Sequence, residues 1–200
     1  MLNYWLAWKS IPVFTPAASA GLKISVNIPA RNEEENIGAL LTSLQKQIYP
    51  KELFEIIVVD DHSTDNTAAV VQKHPGVKLL QLKEMGINSY KKKALATGIR
   101  ASTGDWIVTT DADCTAQPEW LQTMASYQEK TNAVLIAAPV DLNCNHTLLQ
   151  IFQATDFMIL QAITGASVYK GADSAISRKL GPLTHCGIMM FLCTKCRLSA

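Results

Sequence analysis

The chain of 200 residues has almost no net charge: 18 basic side chains face 17 acidic ones, leaving +1 at neutral pH. So balanced a surface gives no electrostatic basis for binding nucleic acid or a strongly anionic surface. The nearest thing to a basic patch is Lys91-Lys92-Lys93. Glycine is missing where a dinucleotide-binding loop would need it. No G-x-G-x-x-G occurs, and the turn after the first apolar strand reads Pro-Ala-Arg-Asn-Glu-Glu-Glu. That excludes a dinucleotide-dependent dehydrogenase and disfavours a sugar-1-phosphate nucleotidyltransferase, which needs a glycine-rich, basic phosphate loop there. The cysteines number five, without regular spacing. They offer no disulfide framework and point to a reducing compartment, the cytoplasm. No internal repeat or low-complexity tract is visible. A long hydrophobic run is lacking too. Residues 1–14 are apolar and carry Tyr4, Trp5 and Trp8, but Lys9 and Pro12 interrupt them. The run is too short to span a bilayer and lacks the basic start and cleavage site of a signal peptide. It reads as an arm packed on the domain, or as an interfacial anchor, followed by a linker over residues 15–21.

What is present is 48% apolar content, enough for one substantial core. From Lys23 onward, strand and helix patterns alternate. Ile24, Val26 and Ile28 alternate with polar residues as a first strand; Ile37, Leu40, Leu41 and Leu44 then recur at helical spacing. Asn32 is placed to cap that helix, with glutamates in its first turn. Ile56-Ile57-Val58-Val59 is a β-branched run suited to a strand buried on both faces. Ser63 or Thr64 is positioned to cap a helix carried by Ala68, Val70 and Val71. Residues 77–82 form a third strand, 89–99 open a helix, and Trp106–Val108 form a fourth strand. Pro118 starts a helix with Trp120, Leu121, Met124 and Tyr127. Residues 133–138 read as a fifth strand, and 147–163 as a long amphipathic helix lying across the site. The alternation predicts an α/β fold with a doubly wound, mostly parallel sheet flanked by helices. The expected division is an arm and linker over 1–22, the domain over 23–165, and a less informative tail over 166–200.

Two strand ends and one helix start carry polar residues in excess of what a turn or cap needs. Asp111 and Asp113 leave the fourth strand one residue apart. In an open α/β sheet that is the rim of the site, and such a pair offers hard oxygens to Mg²⁺ or Mn²⁺ while substrate phosphates take the remaining positions. The plain alternative is a solvated turn. Asp60 and Asp61 end the second strand, as do carboxylates that accept hydrogen bonds from a base or ribose; a capped surface turn is the alternative, and His62 reads as a turn residue. Lysines at 91–93 sit near a helix N-terminus, where the dipole favours anions. The mismatch suggests a bound diphosphate, against a solvated lysine face. His185, Cys186, Cys193 and Cys196 lack the second close pair of a zinc site.

Together, residues 23–140 resemble the family 2 glycosyltransferases, whose catalytic domain has the GT-A fold. The segments carrying the resemblance are Ser25–Glu33, Ile57–Asp65, Lys92–Ile99 and Asp111-Ala112-Asp113. The resemblance implies a nucleotide-sugar site formed by Pro29, Ala30, Arg31, Glu33, Asp60, Asp61, Lys92, Lys93, Asp111 and Ala112. Asp60 or Asp61 would accept from the base, Lys92 or Lys93 would face the diphosphate, and Asp111 with Asp113 would hold Mg²⁺ or Mn²⁺. It further implies an inverting transfer to the hydroxyl of a glycan or lipid-linked acceptor. Uridine is the family's commonest base, so UDP-sugar is the expected donor. Relatives imply association with the membrane, here its cytoplasmic face.

The sequence departs from the family after this point. The family's general base lies in an acidic pair following an Asn-Gly-Ala-Asn-like stretch. Residues 171–179 echo that stretch faintly, no acidic pair follows, and no Asp or Glu occurs after Asp173. Asp156 and Asp173 are not assigned the role, and the Gln-x-x-Arg-Trp element of processive members is missing. The chain therefore reads as a glycosyltransferase donor half with a truncated or altered end. The alternative is a non-catalytic nucleotide-sugar-binding fragment.

Overall fold

A computed structural model describes residues 14–16, 21–83, 90–133, 136, 138, 147–169 and 187–190. The aromatic arm over 1–13, the linker residues 17–20, the stretch 171–179 with Asp173, and the His185–Cys196 group lie outside the described residues. The chain divides into two compact units, Met1–Thr15 with Pro139–Thr184, and Pro16–Ala138 with His185–Ala200.

The second unit is built on a sheet of five strands: β1 (Ile24–Ala30), β2 (Phe54–Asp60), β3 (Val77–Gln81), β4 (Trp106–Thr109) and β5 (Gly187–Met190). Their order is β3-β2-β1-β4-β5, and every neighbouring pair is parallel. The chain winds outward from β1 in both directions, so the doubly wound parallel sheet expected from the alternation is present. β1 is buried along all its length except at Pro29, which is half-buried. β4 is buried throughout. Such central strands have to be apolar on both faces, and their β-branched content follows from that.

Helices α1 (Ile37–Gln45), α2 (Thr67–Gln72), α3 (Tyr90–Ala101) and α4 (Trp120–Thr131) join the strands. The four large apolar residues of α1, Ile37, Leu40, Leu41 and Leu44, are fully buried. Each such burial is worth about 1.5–3 kcal/mol. Gln47 ties α1 to the segment before α4: its Nε2 donates to the Gln117 carbonyl at 2.6 Å, and its Oε1 accepts from Leu121 N at 3.0 Å. On α4 the core contacts are Leu121, Met124 and Ala125, whereas Tyr127 is exposed. Asn132 closes that helix in the left-handed conformation, φ 50°.

Two expectations are corrected. Asn32 does not cap α1; the residue before the helix is Asn36, without a side-chain cap, and Asn32 itself lies at φ 54°. Ser63 and Thr64 do not cap α2; Asp65 Oδ1 accepts from Thr67 N at 3.0 Å instead. In both cases the polar side chains are used between loops rather than within one. Of the strand expected at 133–138, residues 134, 135 and 137 lie outside the described residues; Ala133, Ile136 and Ala138 are not assigned to a strand. The strand beside β4 is Gly187–Met190, from the part that carried no sequence signal. A short apolar run has no intrinsic strand identity until a sheet edge is available to pair with it.

In the first unit, α5 (Leu148–Tyr169) forms where a long helix was expected. Leu148, Phe152, Met158 and Leu160 are exposed on it. Among the described residues, no helix is long and apolar enough to cross a membrane.

Candidate functional site

Because β1, β2 and β4 are adjacent and parallel, their carboxyl ends open on one rim. The ladder continues beyond the strands: Asp61 N donates to the Ala30 carbonyl at 2.8 Å, and Thr110 N to the Asn27 carbonyl at 3.2 Å. These bonds carry the following residues, Asp61 and Asp111, to the edge of a cleft of about 320 Å³. The turn after β1 supplies Pro29, Ala30, Arg31 and Glu33 to its walls. The end of β2 supplies Asp61, α3 supplies Lys91 and Ala94, and the turn after β4 supplies Asp111, Ala112 and Asp113. The cleft lies where the chain switches direction of winding about β1, the crevice in which open α/β sheets take ligands.

Eight of the sequence candidates therefore line one cavity: Pro29, Ala30, Arg31, Glu33, Asp61, Asp111, Ala112 and Asp113. Asp60, Lys92 and Lys93 are not among its lining residues. Asp60 is buried at the end of β2, and its Oδ1 accepts from Ser63 N at 3.2 Å, shaping the loop. The lysine in the cleft is Lys91. A readable signal for it exists in helical spacing: buried Ala94 and Gly98 mark the inward face of α3, and Lys91 lies on that face one turn earlier. Lys92, one position on, is rotated away and exposed, and Lys93 is half-buried.

The two loops that form one wall are clamped to each other. Asn32 N donates to Ser63 Oγ at 3.0 Å, and Thr64 N donates to Asn32 Oδ1 at 2.8 Å. Glu33 N donates to Thr67 Oγ1 at 2.8 Å, Glu34 N to Asp65 Oδ2 at 3.1 Å, and Asn66 N to Glu34 Oε2 at 2.9 Å. Burial by itself would raise the Asp65 carboxyl, but the hydrogen bonds from Thr67 and Glu34 outweigh it and hold Asp65 below the usual carboxylate range. The run Asn32-Glu33-Glu34 thus has a use beyond helix capping: it fixes Arg31 and Glu33 relative to Asp61.

Both cations in the cleft are paired with carboxylates. Lys91 Nζ lies 2.7 Å from Asp111 Oδ1, and Arg31 Nη1 lies 3.8 Å from Asp61 Oδ2. His62, a left-handed residue at φ 55°, places Nδ1 3.0 Å from Asp61 Oδ1. Among the described residues there is no group of three or more His, Cys, Asp or Glu side chains able to hold a metal ion. Asp111 and Asp113 provide hard oxygens in the same cleft, and Asp111 already holds a cation, the Lys91 ammonium. This donor set fits a Mg²⁺ or Mn²⁺ ion held by two carboxylates, with water and ligand phosphate completing the shell.

The cleft thus gathers a strand-end Asp-x-Asp, a strand-end aspartate and a helix-borne lysine on one sheet. The family model described as "Glycosyl transferase family 2" matches residues 25–193. The chain belongs to that family. Similar curated proteins include poly(ribitol-phosphate) beta-N-acetylglucosaminyltransferase TarS of Staphylococcus aureus (strain Mu50), 32% identical over 136 residues. The match takes in 67% of this chain and 24% of TarS, so the chain spans about a quarter of that relative's length. Among solved structures, S. aureus TarS 1-349 in complex with UDP-GlcNAc is similar at TM-score 0.53 and 31% identity, over 63% of this chain and 37% of that one. Mannosyltransferase PcManGT of Pyrobaculum calidifontis, in complex with GDP-Man and Mn²⁺, is similar at TM-score 0.59 and 28% identity, over 70% and 43%. The fold is accordingly that of the GT-A glycosyltransferases, and the relatives of this chain are nucleotide-sugar-binding glycosyltransferases.

Proposed function

We propose that the cleft binds a nucleoside-diphosphate sugar, with UDP-sugar the leading donor, for transfer of the sugar to a hydroxyl of a glycan or lipid-linked acceptor. The observation that carries this reading is the convergence of Arg31, Asp61, Lys91, Asp111 and Asp113 on one cavity at the switch point of the sheet. Asp61, buried and flanked by Arg31, is suited to accept from the base. Arg31 to Glu33 form a wall held by the loop clamp, and Lys91 takes the diphosphate-facing part that the resemblance assigned to Lys92 or Lys93. Asp111 and Asp113 would hold Mg²⁺ or Mn²⁺, which when bound neutralises the charge developing on the leaving diphosphate without a proton donor. In the transfer, the bond from the anomeric carbon to the diphosphate breaks as the acceptor oxygen attacks from the opposite face. The hydroxyl proton passes to a general base, and the anomeric centre is inverted. Membrane association at the cytoplasmic face belongs to this reading, since lipid-linked acceptors reside there.

Calorimetric titration with UDP, with and without Mn²⁺, tests the donor site. The expected result is UDP binding strengthened by Mn²⁺ and weakened at least about tenfold in Asp113→Ala, the scale of losing a charged ligand. Absence of UDP binding in both conditions would overturn the assignment. One observation favours a second reading, a non-catalytic binding module. Beyond Glu33, Asp61, Asp111 and Asp113, no further acid among the described residues lines the cleft to serve as the base. UDP binding without release of UDP from UDP-sugars in the presence of acceptors would select that reading.

A further inference from the structure

The carboxylates lining the cleft are Glu33, Asp61, Asp111 and Asp113, against the two cations Arg31 and Lys91. A nucleoside diphosphate entering such a cavity meets net negative charge unless cations are redeployed toward it. Arg31 is engaged with Asp61, and Lys91 with Asp111. The two partners of the second pair differ in exposure. The Lys91 side chain is 57% exposed and that of Asp111 20%, so the lysine is open to solvent while the carboxylate is sheltered. A lysine is a hydrated point charge on four flexible carbons, able to change partners without moving the backbone.

We propose that Lys91 is a switching counter-ion. It neutralises Asp111 in the free protein and transfers to the donor diphosphate when a divalent cation takes over Asp111. The inference rests on the donor-site reading above and adds a mechanism for coupling its two halves. Metal displaces Lys91 from Asp111 and so frees a cation for the diphosphate; diphosphate draws Lys91 away and so uncovers the metal ligand. Linkage makes the effect reciprocal, each ligand raising affinity for the other by the same factor. Lys91 also guards against futile metal loading, because metal alone must compete with it.

The test separates the two ligands. Lys91→Met keeps the stem and removes the charge, and Lys91→Arg keeps a cation. Mn²⁺ binding to the nucleotide-free protein is read from the paramagnetic resonance signal of free Mn²⁺, and UDP binding without metal by calorimetry. Lys91→Met is expected to bind Mn²⁺ about two- to fivefold more tightly, the range for removing an exposed ion-pair competitor. It is expected to bind UDP without metal about tenfold more weakly, as for loss of a charge-assisted hydrogen bond. Lys91→Arg should lie near the wild type in both. Opposite signs in the one variant are the signature, since a lysine with a purely structural role would weaken both together. Unchanged or weaker Mn²⁺ binding in Lys91→Met, with wild-type UDP and Mn²⁺ binding intact, overturns this inference alone. Failure of the wild type to bind UDP overturns the donor-site reading with it.

Discussion

Asn32 shows how one side chain can serve backbone and site at once. At φ 54° it occupies the left-handed region, in which Asn is the best tolerated residue after Gly, and its Oδ1 accepts from Thr64 N across the loop. Two substitutions separate these contributions. Asn32→Gly retains the conformation and loses only the acceptor, costing about 0.5–1.5 kcal/mol. Asn32→Ala loses the acceptor and strains the backbone, adding about 1 kcal/mol or more. Urea denaturation is expected to rank the wild type above Gly and Gly above Ala, although Ala has the better intrinsic helix propensity. An Ala variant as stable as Gly would show that the left-handed backbone stores no cost. The asparagine was visible in the sequence, but its helix-capping part was misread, because a cap and a cross-loop acceptor use the same side-chain chemistry. Only the approach of the second loop distinguishes them.

At the scale of the element, α3 shows why a helix that carries a site residue must dock closely. A Cβ at Gly98 would lie 2.7 Å from Asn27 Oδ1 and 3.2 Å from Val59 Cγ2. Asn27 is buried in β1 and cannot give way freely. Its Nδ2 donates to Ser102 Oγ, which donates to the Gly98 carbonyl, fastening the same turn to the strand. Gly98→Ala would gain about 1 kcal/mol of helix propensity and lose about 1–3 kcal/mol to overpacking. The overpacking is expected to prevail. Denaturation should show net destabilisation, with weaker UDP binding as Lys91, two turns away, shifts with the helix. The helix was legible from its pattern, whereas which of its three lysines faces the cleft required the docking angle. A rotation of one residue, about 100°, exchanges Lys91 for Lys92.

Over the whole molecule, the end of the sheet opposite the cleft bears on stability. Glu55, at the start of β2, accepts from Ser25 Oγ on β1 at 2.6 Å, and from Thr103 N and Oγ1 before β4 at 2.6 and 2.8 Å. One carboxylate thus joins the three central strands at their amino ends. Burial acts to raise its pKa, but these hydrogen bonds prevail and lower it from 4.5. A carboxyl whose folded pKa is depressed stabilises the fold above its unfolded value, and that contribution is lost as the pH falls through the folded value. Global stability measured by urea denaturation should therefore decline as the pH drops below about 4.5. Glu55→Gln is expected to be less stable at neutral pH and to show a shallower acid decline. Parallel acid limbs in the two proteins would remove Glu55 as a contributor. The site occupies the far rim, so donor binding in this variant should remain at the wild-type level.

The strands β1, β2 and β4 and the helix α1 could be read from periodicity alone, because burial on one face or two imposes a hydrophobic repeat that local sequence must obey. The strand-end acids Asp61, Asp111 and Asp113 were legible for a related reason, since charge directly after an apolar run has no use in the core. Spatial order was not local information. That β1 lies between β2 and β4, and so brings their carboxyl ends together, follows from parallel crossovers closing over distant segments. The same holds for β5, where pairing with the exposed edge of β4 decided what a featureless apolar stretch became. Chemistry-bearing residues were thus set by the sequence, while their assembly into a single cleft, and the choice of Lys91 to face it, came from tertiary packing, in which the sheet and the docked helix fix directions that spacing along the chain leaves open.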